Sequence, residues 1–285
     1  MPEPVGPFEW RGKELTVGLD KDPIVGALER EFHEIDDLLL TLRDYEWAAQ
    51  TPCPGWDVHA NVAHIIGTES SLAGLTVPDV EIGDRSFVRN EAGRSNEKWV
   101  VFLSGLTPEE MLERFRQRTN RRIADLRRMS DDDWNVDIVT PAGKDTYGRF
   151  MRIRVFDCWM HEQDIRDGVH RAGHEAGPIV DLVLDEITTA LGFVVGKKAG
   201  ATTGQTVTFE LSGPTTRDIH VAVENRALVV EQLAAPATVT IHMRVGLFTR
   251  LCGGRIAPAD AAAGVRYEGN EDLGRRIVQN LAYTI

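Results

Sequence analysis

Two groups of residues, far apart in the chain, have the types and spacing that chemistry requires. His64 follows a Pro54-Gly55-Trp56 turn, and Asp157 and His161 stand four apart in RVFDCWMHEQDIRDG. On a helix, positions i and i+4 share a face, so this carboxylate and imidazole converge on one point. If His64 faces them, His64, Asp157 and His161 supply three protein ligands for a divalent metal. Catalytic zinc sites commonly hold three such ligands and keep a fourth position for water or substrate. The space between facing helices of a bundle is a usual place for such a site. The spacing alone also describes a surface ion pair, and a lone histidine on a partly apolar helix is equally a satisfied core residue. Asp164, three residues beyond His161, either orients an imidazole or caps its helix and pairs with Arg166 or Arg154. His59 would point elsewhere on its helix, and His33 lacks a paired ligand.

The elements that must position these groups read as helices through the first two thirds of the chain. From Asp22-Pro23, apolar residues recur at helical spacing (Ile24, Leu28, Phe32, Ile35, Leu39), predicting a helix to about Ala49. Thr51-Pro-Cys-Pro-Gly is a turn. A second helix starts near Asp57, carrying Val58, Val62, Ile65 and Ile66 inward. A loop covers 76–93, and a third helix covers 97–103. Thr107-Pro-Glu-Glu predicts a capping box that launches a fourth helix to about Met129. Its many arginines (Arg114 to Arg128) read as a solvated face. An acidic loop with Trp134 covers 130–143, and a further helix runs from Tyr147 to about Asp167. After a Gly/Pro-containing linker comes a helix at 178–198. The pattern then alternates in four runs (206–211, 218–223, 227–231, 237–243), as strands do. A short segment at 246–251 and a helix at 270–283 close the chain. The expectation is an all-α four-helix bundle over residues 1–172, followed by a small α+β domain over 173–285.

Composition excludes several classes. The 285 residues carry 32 Lys+Arg against 44 Asp+Glu, a net charge of −12. That balance argues against nucleic-acid binding, which needs a basic surface; only the Arg-rich helix speaks for a regulator. No apolar stretch reaches the roughly 20 residues of a membrane span, and the N-terminus lacks the pattern of a signal peptide. A cytoplasmic protein is expected, as a monomer or homodimer. Cys53, Cys158 and Cys252 are odd in number and scattered, so they form neither a disulfide framework nor a CxxC metal site. Cys158 reads as a buried small apolar residue; Cys53, in the turn, is the better placed thiol. Trp56 and Trp159 read as core packing rather than substrate stacking. No phosphate-binding glycine loop or GxSxG is present.

TPCPGWDVHANVAHIIGTES resembles the PGW…H signature of the DinB-like, mycothiol-dependent maleylpyruvate isomerase family. RVFDCWMHEQDIRDG resembles its second motif, a carboxylate, three residues and a histidine, then a polar residue and an Asp that Asp164 matches. The resemblance spans most of the chain and is strongest for an actinobacterial metal-binding branch. It implies a DinB-like metal-binding bundle with a sterol-carrier-like C-terminal domain, and it carries the metal ligands over to His64, Asp157 and His161. It implies that a divalent metal, zinc, and a low-molecular-weight thiol such as mycothiol act on a small electrophilic substrate by isomerisation or S-transfer. One departure stands out: the family usually has Glu where this chain has Asp157, one methylene shorter. The family also places an Arg of the C-terminal domain at the active site. Arg255, after Gly253-Gly254, is the nearest match, able to hold a carboxylate bidentately, with Arg266 as a rival and a plain surface Arg as the alternative to both. The competing reading is a metal- or apolar-ligand-binding protein without catalysis.

Overall fold

The computed structural model describes residues 20–284. These residues divide into two compact units. The first runs to Glu186 and the second comprises Ile187–Thr284.

The first unit is helical. Helix α1 (Lys21–Leu40) buries Ile24, Leu28, Phe32, Ile35 and Leu39, the stripe its sequence period sets. It stops earlier than the predicted Ala49. The Arg43 N–H is taken by Glu46 Oε2 at 2.8 Å, which turns the backbone at Arg43 extended and starts a separate 3-10 turn, Asp44–Ala48. Helix α2 (Val58–Leu72) begins where Asp57 Oδ1 accepts from the Ala60 N–H at 2.8 Å. Helix α3 (Glu91–Leu103) starts a turn and a half before the expected position, because Asn90 caps it. In α4 (Pro108–Arg128) the Thr107/Glu110 capping box and Pro108 stand as the sequence predicts.

The expected acidic loop is instead structured. A one-turn helix α5 (Asp131–Trp134), capped by Ser130, precedes a hairpin of β1 (Asp137–Thr140) and β2 (Gly143–Thr146). Buried Trp134 anchors it, lying where a Cβ on Gly148 would have to sit. Helix α6 (Tyr147–Gly168) follows, capped by Thr146. Helix α6 packs on α1 and α2, and α4 packs on the same pair. Almost every face of α6 is covered: sixteen of its residues are buried, among them Arg149, Arg152, Arg154, Glu162 and Asp164. A helix covered all round by helices is a place where polar side chains must satisfy one another.

The second unit starts within α7 (Pro178–Phe193), which ends in a π-turn, Val194–Lys198, short of a continuous α-helix to 198. Strands β3 (Thr206–Ser212), β4 (Arg217–Val223), β5 (Ala227–Val230), β6 (Val239–Arg244) and β7 (Arg266–Gly269) form one sheet in the order β5-β4-β3-β6-β7. The β3–β6 pair is parallel and the others are antiparallel. Alternate residues (Val207, Phe209, Leu211 and Val239, Ile241, Met243) face the core with Phe248 of α8 (Val245–Cys252) and Leu273 and Ile277 of α10 (Glu271–Gln279). A short helix, α9 (Pro258–Ala261), precedes β7. Strand β7 escapes sequence reading because it is an exposed edge strand with no apolar alternation. Among the described residues, no helix is long and apolar enough to cross a membrane.

Candidate metal centre

The first unit brings His64, Asp157, His161 and Asp164 together. His64 lies on α2, the others on α6. One ligand atom from each of His64, Asp157 and His161 falls within 4.8 Å of the other two. His64 Nε2 is 3.2 Å from Asp157 Oδ2, and His161 Nε2 is 3.7 Å from Asp157 Oδ1. Ligands about 2.1 Å from a tetrahedral zinc lie about 3.4 Å apart, so these spacings fit one ion. Both imidazoles are 5% exposed, while Asp157 is partly open at its side chain. The donor set, two neutral-type nitrogens and one carboxylate, is chemically that of a zinc or other divalent transition-metal site.

His161 is oriented by two acceptors. Its Nδ1 lies 2.8 Å from Asn61 Oδ1 and 3.1 Å from Asp164 Oδ2. The amide nitrogen of Asn61 is committed elsewhere, to Asp57 O at 2.8 Å and Thr51 Oγ1 at 3.0 Å, which fixes its oxygen toward the ring. His161 therefore carries its proton on Nδ1 and turns the Nε2 lone pair toward Asp157. Asp164 thus meets an imidazole. Asn61 is the site residue that sequence reading missed; its signal is the i, i+3 spacing to His64 on one helix face.

The electrostatics keep the donors in ligand form. Burial pushes His64 down to about 4, against the pull of Asp157, so its imidazole is neutral at pH 7. Burial raises the Asp157 carboxyl, but Arg154, His64 and His161 outweigh it and hold it well below the usual range. Arg154 donates to Asp157 Oδ2 and, at 2.9 Å, to Glu69 Oε1. Glu69, fully buried on α2, also pairs with Arg122 at 2.9 Å. Arg122 is itself buried and donates to Tyr147. This corrects the reading of the α4 arginines as a solvated face: Arg116, Arg121 and Arg127 meet acids at the surface, but Arg122 reaches inward to Glu69.

The PGW turn builds a wall of the site. Gly55 has φ +79, and a Cβ there would stand 2.2 Å from the Phe87 ring, so no side chain fits. The turn places the Trp56 ring 5.0 Å from the His64 ring and 5.6 Å from that of His161, while its Nε1 donates to Glu97 at 3.0 Å. Trp159 is core, donating to His174 O at 2.9 Å. Cys158 is no nucleophile: burial pushes its thiol well up, and it accepts from Arg154 at 3.3 Å. Cys53 forms an overlapping group with His161 and Asp164. His59 contacts Leu106 O at 3.0 Å, away from the site. Arg255 belongs to the other unit, beyond the end of α8, where it donates to Gly253 O at 2.7 Å; Arg266 pairs with Glu268.

Comparison with known proteins places the chain. Residues 28–166 match the mycothiol maleylpyruvate isomerase N-terminal domain, and residues 181–276 match the MDMPI C-terminal domain. The chain belongs to the mycothiol-dependent maleylpyruvate isomerase family. Its fold is similar to the crystal structure of a mycothiol-dependent maleylpyruvate isomerase, with TM-score 0.56 and 15% identity over 89% of this chain and 96% of that one; a mutant of the same enzyme matches equally. Two Mycobacterium tuberculosis proteins, both described as uncharacterised, are 26% identical over 157 residues, 53% of this chain. The match covers 58% of those relatives' length.

Proposed function

We propose that this protein is a metal-dependent enzyme that uses mycothiol or a similar thiol for isomerisation or S-transfer on a small electrophilic substrate. The observation that carries the reading is the convergence of His64, Asp157 and His161, with His161 fixed by Asn61 and Asp164. These three side chains would hold the ion, with zinc the metal the donor set suits. A bound divalent cation would supply the positive charge that deprotonates a thiol near neutral pH. The chain's own residues prepare this. Asn61 and Asp164 hold the His161 proton at Nδ1, Trp56 shields the two imidazoles from water, and burial keeps His64 unprotonated. Arg255, in the C-terminal unit, is the residue we assign to a substrate carboxylate, an assignment supported by the family resemblance. We also assign the first unit to a DinB-like four-helix bundle of α1, α2, α4 and α6, the second to a sterol-carrier-like domain, and the protein to the cytoplasm.

The test is metal content. Protein purified without chelator should contain the ion, and His64→Ala should lose it; equal, negligible metal in both would refute the reading. One observation favours binding without catalysis: Arg154 pairs with Asp157 Oδ2, so a bound ion would share this carboxylate with a guanidinium. Calorimetric titration with mycothiol separates the two readings. Heat that disappears when metal is stripped supports the enzyme, whereas no heat in metal-loaded protein supports the alternative.

A further inference from the structure

A second cluster lies in the helical unit, away from the centre described above. Glu31 of α1, Glu162 of α6 and His174, after α6, bring one ligand atom each to within 4.8 Å of the others. Glu162 neighbours His161 in sequence, but successive helical residues point about 100° apart, so the two serve different sides of α6. Glu31 is fully buried, and neither of its carboxylate oxygens meets a hydrogen-bond donor. Such a group in a native core needs an explanation, because an unpaired buried carboxylate is costly.

The surroundings are built rather than incidental. Glu162, also fully buried, gives Oε1 to Arg166 Nε at 2.6 Å and Oε2 to His174 Nδ1 at 2.6 Å. His174 Nδ1 stands 3.8 Å from Glu31 Oε2. The His174 backbone has φ +54, a conformation that non-glycine residues rarely adopt, and Trp159 holds its carbonyl. Strain kept at one residue whose imidazole bonds one buried carboxylate and stands 3.8 Å from a second suggests a task for that imidazole. His174 also lines a cavity of about 400 Å³ with Arg30, His33 and Glu34. Arg166 pairs with Glu162 and no donor bonds Glu31, so the two carboxylates leave room for a cation between them.

We propose that Glu31, Glu162 and His174 form a second divalent-cation site, separate from the one at His64. Two carboxylates and an imidazole suit zinc or manganese better than softer ions. The rival occupant is a single proton shared between Glu31 and Glu162.

The test uses zinc alone. Metal-free full-length wild type, Glu31→Gln, His174→Asn and His64→Ala are dialysed against Zn2+, and bound metal per chain is counted by elemental analysis. Gln is isosteric with a protonated Glu, and Asn tolerates the left-handed backbone of position 174, so both variants should fold; circular dichroism checks this. Glu31→Gln and His174→Asn should each bind one equivalent less than wild type. Their loss should be separate from that of His64→Ala, so that Glu31→Gln combined with His64→Ala loses both. Wild-type stoichiometry in folded His174→Asn and Glu31→Gln would overturn the proposal and leave the shared proton. Loss in His174→Asn but not in His64→Ala would support this site while refuting the metal assignment at His64.

Discussion

Asn61→Ala tests the logic of the centre at its least obvious residue. Asn61 is fully buried and makes three contacts: Oδ1 to His161 Nδ1 at 2.8 Å, and Nδ2 to Asp57 O and Thr51 Oγ1. Removing it strands no other group. Asp57 O still accepts from the residue 61 N–H, Thr51 Oγ1 still donates to Trp56 O, and His161 Nδ1 keeps Asp164 at 3.1 Å. At about 1 kcal/mol net per buried hydrogen bond, and with a small cavity added, the fold should lose about 2–4 kcal/mol. Loss of a residue that orients a metal-bound histidine typically costs 10–100-fold in metal affinity. Because Asp164 remains, about tenfold is expected for Asn61→Ala, and about 100-fold or more when Asp164→Ala is added. Asn61→Asp separates the two effects. Its carboxylate still accepts from His161 but cannot donate to Asp57 O, so stability should fall while zinc affinity stays at wild type or above. Competition against a zinc-chelating dye measures affinity, and urea unfolding measures stability. A folded Asn61→Ala protein binding zinc within twofold of wild type would show that Asn61 does not set the His161 ring.

Glu69→Ala should cost about 3 kcal/mol or more in urea unfolding, because it leaves Arg122 buried without a carboxylate partner and Arg154 with Asp157 alone; a loss below about 1 kcal/mol would mean those arginines repack to solvent. Gly55→Ala should destabilise by about 1–3 kcal/mol and weaken zinc binding, since the strained turn and the clash with Phe87 displace Trp56; urea unfolding and the dye competition measure the two effects, and unchanged values would refute it. In chelator-treated protein, His64 has a folded pKa of about 4 against 6.5 for the free residue. Between those values the unfolded chain binds the proton and the folded chain does not, so stability should fall by up to roughly 3 kcal/mol as pH drops from about 6.5 to about 4. His64→Gln should flatten that slope; an equal slope in the variant would assign it to other groups.

The ligand spacing was legible because it is local: Asp157 and His161 share a face by helix geometry, and α6 runs over nearly the range its pattern predicts. That His64 meets them depends on α2 packing against α6, which no local pattern encodes. Caps were legible where side chain and backbone lie three residues apart, as at Thr107 and Glu110. Strand β7 and the hairpin after Trp134 were not legible, because their stability comes from pairing and from one anchoring ring rather than from alternation. The buried partners Glu69–Arg122 and Glu31–Glu162–His174 join residues distant in the chain, and their charged side chains look like surface residues until the helices assemble.

The central claim is that His64, Asp157 and His161 hold an ion to which a cofactor thiol binds. Cobalt(II)-substituted protein titrated with mycothiol tests it most directly. A sulfur-to-cobalt charge-transfer band should grow in with saturation, and His64→Ala should abolish it. Cobalt bound at the site with no such band at saturating mycothiol, or an equal band in His64→Ala, would contradict the account.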